Sequence, residues 1–212
     1  MKPIKIKTYQ SLRYRIITHD LKPGAQLNET RLMDEYHIGR TPLREVLIDL
    51  HRDGLIQRFP RSGTFVAPLD FHFFRQVVEI RASLEPYAAQ LAAARVTEGQ
   101  LSSLRGLLEK VESDNHADEK KLGLLTQYEF DFHDTLYEAT HNQKLIDTLH
   151  ELHGISARFW HYLVFSQQEL AEQFEDLNVL FRALEKREPD KARTAMEVHI
   201  QNFINKVRER VI

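Results

Sequence analysis

Arg40 and Arg44 stand four residues apart in the run Gly39-Arg40-Thr41-Pro42-Leu43-Arg44, which continues into an apolar stripe of Leu43, Val46, Leu47 and Leu50 at helical spacing. On a helix the two arginines fall on one side, away from that stripe. A guanidinium can make two parallel hydrogen bonds to guanine or clamp a phosphate, and a major groove admits a single helix, so the pair suits DNA. Thr41 between them can reach a phosphate or a thymine methyl. Further on, Leu55 to Phe59 and Thr64 to Ala67 read as two short strands around the turn Pro60-Arg61-Ser62-Gly63. Arg58, Arg61 and Gly63 on that hairpin suit phosphate or minor-groove contact, where a glycine lets backbone approach closely. The competing reading, that these arginines merely solvate a small surface, fits any one of them better than it fits the group.

Positioning these groups takes a small set of elements. Tyr9, Leu12, Ile16 and Ile17 predict a first helix from Thr8 to His19, closed by the turn Leu21-Lys22-Pro23-Gly24. Leu27 fits a short strand, and Asn28 suits the cap of a second helix that runs to about Tyr36. A third helix starts between Gly39 and Pro42 and stops at Gly54. Because only a few residues join the second helix to the third, a steep helix-turn-helix crossing is expected, with the strand hairpin as its wing. Charge follows the same division: residues 1–69 hold 12 Lys and Arg against 7 Asp and Glu, while residues 70–212 hold 17 against 24. A basic head on an acidic body is what a polyanion binder needs.

Other chemistries find little footing. There is no cysteine, which excludes disulfides and thiolate catalysis. No HExxH pair, nucleophile elbow or phosphate-binding glycine loop occurs. No run reaches the roughly 18 apolar residues of a membrane span, and the start Met-Lys-Pro-Ile-Lys-Ile-Lys lacks a secretory apolar stretch, so a cytoplasmic protein is expected. From Asp70 onward helical periods dominate, with breaks near 96–99, 116–120, 141–143, 166–169 and 188–189, predicting six helices in an antiparallel bundle. The fold class is thus mainly α: a winged helix-turn-helix at residues 1–69 and an antiparallel six-helix bundle at 70–212.

The runs Leu21-Lys22-Pro23-Gly24-Ala25-Gln26-Leu27-Asn28-Glu29, Gly39-Arg40-Thr41-Pro42-Leu43-Arg44-Glu45-Val46-Leu47 and Leu50-His51-Arg52-Asp53-Gly54-Leu55-Ile56 resemble the GntR family of bacterial regulators. Glu79-Ile80-Arg81-Ala82-Ser83-Leu84-Glu85, with Phe132-His133 and Ala192 to His199, is similar to the ligand-sensing FCD bundle of that family's FadR-like branch. The resemblance implies DNA contacts from Arg40, Arg44 and Gly63. Gly39 stands where the family usually has Ser or Thr, which removes a helix cap and a phosphate contact and predicts some loss of affinity without loss of fold. It also implies a divalent metal, zinc or similar, in the bundle core. Glu129 and His133, four apart on one helical face, and His199 match three ligands, whereas the position of the fourth is Leu177.

Those three residues either hold a metal, hydrogen-bond an effector directly, or are packed core groups. Arg81 is either the partner of a carboxylate effector or an internal ion pair with Glu85. Phe159, Trp160, Tyr162 and Phe165 form an aromatic cluster suited to core or dimer interface more than to pocket, and His150 and His153 are expected at the surface. The resulting expectation is a non-enzymatic, ligand-responsive transcription regulator, a repressor that senses a small organic acid or related metabolite. It acts as a homodimer, because one head reads one half-site. A metal-dependent hydrolase with Glu129 as general base is the alternative, and a pure interaction module the third.

Overall fold

The computed structural model describes residues 3–113, 119–163 and 167–211. Its contacts group into two packing units, Met1–Arg75 with Glu151–Tyr162, and Gln76–His150 with Leu163–Ile212.

The first unit opens with α1 (Pro3–Ile17), β1 (Gln26–Leu27), α2 (Glu29–Tyr36) and α3 (Arg40–Arg52). Asn28 caps α2 by accepting the Arg31 N–H, and His37 ends it in the left-handed conformation with its N–H turned back to the Asp34 and Met33 carbonyls. Ile38 in the short turn is buried, as are Leu12, Ile16 and Ile17 of α1 and Leu43, Val46, Leu47 and Leu50 of α3. Lys5 ties the outer flank of α1 to Glu45 and Asp49 of α3. Strands β2 (Ile56–Phe59) and β3 (Gly63–Val66) form the wing, and β1 joins them in a sheet of order β1-β3-β2, antiparallel throughout.

Two further helices enter this unit. Helix α4 (Phe71–Arg95) starts here, with Asp70 accepting the N–H groups of His72 and Phe73, and α7 (Gln143–Tyr162) contributes its second half. Phe159 stacks on Phe74 with ring centroids 4.0 Å apart, and Phe71 meets Phe159 and Tyr162 edge-on. Gly54, at φ +66, closes the α3–β2 turn so tightly that a Cβ there would sit 2.8 Å from Cγ1 of Ile155. Leu152 through Phe159 are all buried, so this stretch has no solvent face. His153, expected at the surface, is accordingly only 1% exposed. Of the aromatic cluster foreseen around position 160, Phe159 and Tyr162 are placed here, while the Trp160 side chain and Phe165 lie outside the described residues.

The second unit holds the rest of α4 and the first half of α7, with α5 (Glu98–Ser113), α6 (Glu119–Glu138), α8 (Gln167–Glu185) and α9 (Pro189–Val211). Its core is built from Ala88, Ala89, Ala92 and Ala93 of α4, Leu101, Leu104 and Leu108 of α5, and Phe130, Phe132 and Leu136 of α6. Phe174, Leu180 and Leu184 of α8 and Met196, Ile200 and Phe203 of α9 complete it.

Candidate functional site

On the first unit the functional surface is built at the start of α3 and on the wing. Gly39 caps α3 in extended conformation and makes no side-chain cap bond, as its missing hydroxyl dictates. Arg40, Thr41 and Arg44 are exposed on the first turns, on the face opposite Leu43 and Leu47. At the wing, Phe59 pairs with Gly63 and Arg58 with Thr64. Gly63 has φ +113, and a Cβ there would meet the Gln26 amide at 2.9 Å. That amide in turn donates to the Ser62 carbonyl. Glycine is therefore required by the turn itself, before any contact with a partner. Arg61 at the tip is held in the left-handed region, φ 64, with its side chain in solvent. Arg58, Arg61, Gly63 and Thr64 line an open groove of about 660 Å³ together with His51 and Glu29. Arg58 is partly buried, whereas Arg61 and Gly63 are exposed.

The second unit holds its chemistry inside. Arg81 of α4 and Glu85 one turn later form an ion pair, Nε to Oε1 2.6 Å, with side chains 2% and 0% exposed. Of the two alternatives for Arg81, the structure forms the internal ion pair with Glu85. Tyr137 of α6 donates to the same Glu85 oxygen at 2.8 Å, and the Arg81 guanidinium lies 5.7 Å from the Phe203 ring. Tyr137 was not foreseen, although it follows Glu129 and His133 at the four-residue spacing of one helical face.

Glu129, His133 and His199 converge as predicted: one ligand atom from each lies within 4.8 Å of the others, and all three residues are buried. His133 Nδ1 is 3.0 Å from the Glu129 carbonyl and 3.1 Å from its Oε1, which keeps the proton on Nδ1 and the lone pair on Nε2. Burial opposes charging His133, but Glu129 beside it outweighs this and raises its pKa. His199 goes the other way: burial, then the neighbouring His133, push it down to about 3, so it is neutral at physiological pH. Its Nδ1 lies 3.9 Å from Asp176 Oδ2, at the solvent edge of the cluster. One carboxylate and two imidazoles, all three buried, fit a divalent cation of the zinc type. Leu177 is fully buried in α8 and offers no donor, so a cation held by the other three residues would keep positions open for water or effector oxygens. His150, also expected at the surface, is partly exposed, with Nε2 3.6 Å from Asp134.

Comparison with known proteins places these two units. The model of the FCD domain matches residues 76–202, more than half of the chain, and that of the bacterial regulatory proteins of the gntR family matches residues 5–66. The chain belongs to the GntR family, in the branch that carries an FCD domain. It is 28% identical over 208 residues to the HTH-type transcriptional repressor RspR of Escherichia coli, covering 98% of this chain and 90% of that protein. It is 27% identical over 194 residues to the Nta operon transcriptional regulator of Aminobacter aminovorans, covering 91% and 89%. Among solved structures, E. coli McbR/YncC superposes over the full length of both chains with a TM-score of 0.80 at 24% identity, a likeness of fold. GntR membership makes this a DNA-binding transcription regulator with a ligand-sensing domain, and nothing in these relatives supports the hydrolase alternative. No helix among the described residues is long and apolar enough to cross a membrane.

Proposed function

We propose that this GntR regulator is a cytoplasmic, homodimeric repressor whose bundle senses a small organic acid or related metabolite. The observation that carries the DNA-binding half is the exposure of Arg40, Thr41 and Arg44 together on the first turns of α3. These three residues enter the major groove, Arg40 and Arg44 as guanine or phosphate partners. Arg58, Arg61 and Gly63 of the wing hold the adjacent backbone. A two-fold pair of heads matches a two-fold operator, which is why the working unit is a dimer.

The sensing half rests on the buried constellation of Arg81, Glu129, His133 and His199. Glu129, His133 and His199 hold a divalent cation, which when bound supplies a Lewis-acid grip on effector oxygens. The chain's own part is to keep His199 neutral, to fix the His133 tautomer through Glu129, and to keep the cluster buried beside Phe203. Effector binding biases the placement of the two heads, and by reciprocity operator DNA changes effector affinity by the same factor.

Fluorescence anisotropy on DNA from upstream of the protein's own gene, against scrambled DNA over a salt series, tests the reading. Tighter binding to the upstream DNA is expected, with a steep salt slope that flattens in the Arg40→Ala/Arg44→Ala variant. Weak binding that is equal for both DNAs and unchanged in the variant would overturn the assignment of these residues.

A further inference from the structure

We propose that the groove between α8 and α9 binds a short organic diammonium compound that carries a hydroxyl or carbonyl group, and that the Gln173 amide recognises that neutral group. The site lies outside the residues assigned to the effector, so it stands or falls separately from that assignment. The groove holds about 390 Å³ and is open to solvent. Gln173 lines it from α8 and is only 1% exposed. Neither its amide nitrogen nor its amide oxygen has a hydrogen-bond partner among the described residues. Buried amides are nearly always satisfied, and an unanswered one is costly. The neighbouring buried positions of α8 are Phe174, Leu177 and Leu180, so an apolar side chain would serve packing better than this glutamine does. An amide presents donors and an acceptor side by side, and a hydroxyl answers both from a single atom.

The charged side chains of the groove select the rest of the ligand. Its lysine, Lys206, is already committed: Nζ lies 2.8 Å from Glu172 Oε2 and donates to the Glu169 carbonyl at 3.1 Å. Glu175 of α8 and Glu209 of α9 are exposed in the two walls of the groove and have no cation beside them among the described residues. Asp176 adds a further carboxylate and accepts from Asn202 Nδ2 at 2.8 Å. An anion is repelled from such a lining, and a cation is drawn to it. A bare metal ion does not fit. Among the described residues only Glu129, His133 and His199 bring three ligand atoms within 4.8 Å of one another, so the carboxylates of the groove do not close on one ion. A cation that meets both walls is extended, with one ammonium group for Glu175, one for Glu209 and a neutral polar group over Gln173 between them.

The test is a calorimetric titration of the full-length protein at neutral pH and low salt, with EDTA present so that chelation of metal by an amine contributes no heat. Two probes are compared: diaminopropanol, a diammonium compound with a hydroxyl between its charges, and diaminopropane, which lacks the hydroxyl. Diaminopropanol is expected to bind about tenfold more tightly than diaminopropane. In Gln173→Leu the ratio is expected to fall to about one. The Glu175→Gln/Glu209→Gln variant alters only exposed side chains and keeps the fold. Both diamines are expected to bind it about tenfold less tightly, with the ratio between them retained. Equal binding of the two diamines to the wild type would overturn the proposal, and so would the absence of heat from either at millimolar concentration. A ratio that survives in Gln173→Leu, or affinities unchanged in the glutamate variant, would overturn it as well.

Discussion

In the packing unit of Met1–Arg75 and Glu151–Tyr162, the arginines at 40, 44 and 61 stand in water, whereas in the unit of Gln76–His150 and Leu163–Ile212, Arg81, Glu85 and Glu129 have left it. The difference is one of commitment. An exposed guanidinium keeps its donors for whatever polyanion arrives and contributes little to stability. A buried one is already committed to a chosen partner, here Arg81 to Glu85. The first unit also holds one buried arginine, Arg158, whose guanidinium donates to the Ala67 carbonyl just past the wing and whose pKa burial lowers to about 10. Its role is structural, and it sharpens the contrast with the exposed trio.

The contrast predicts its largest effect for Arg81→Met. Losing the cation strands Glu85 in the core and is expected to cost about 3–5 kcal/mol in urea unfolding, while Arg44→Met stays within about 0.5 kcal/mol of wild type. Similar losses in the two variants would break the comparison. Next comes Gly54→Ala, where a Cβ would press on Ile155 at 2.8 Å from a backbone already at φ +66. We expect a loss of about 2 kcal/mol, read from the urea midpoint.

A smaller effect concerns pH. Burial, followed by the nearby Arg158 charge, lowers the pKa of His19 below its usual 6.5. The unfolded chain therefore binds a proton that the folded chain resists, and stability is lost as pH falls below 6.5 toward the folded value. His19→Asn keeps a residue that tolerates the left-handed backbone at φ 59 and should show a shallower fall in Tm between pH 8 and pH 5.5. The smallest effect is that of Gly39→Ser. A serine at the uncapped start of α3 should add a few tenths of a kcal/mol of stability and tighten operator binding in anisotropy without altering its sequence preference.

The two regions also differ in how far they could be read from sequence. Asn28, the Gly39–Arg44 run and the hairpin turn at 60–63 act on neighbours a few residues away, so local rules placed α2, α3 and the wing to within a residue or two. The same locality found the pairs Glu129/His133 and Arg81/Glu85, each one turn apart. Spacing alone could not show that α4, α6 and α9 bring those pairs and His199 into one buried cluster, because that depends on how helices pack. His153 was misjudged for the same reason: periodicity names an apolar face, but Leu152 through Phe159 are buried on every face.

Ile155, Arg158 and Phe159 also bear on how such regulators can be recombined. These side chains belong to a helix that starts some seventy residues past the DNA-reading motif, yet they pack beneath the Gly54 turn, the Ala67 carbonyl and Phe74. A head transplanted at the end of the wing onto a foreign sensor would leave that floor behind. Viable crossovers must carry residues 151–162 or recreate them, so in this architecture the smallest transferable reading head is discontinuous in sequence.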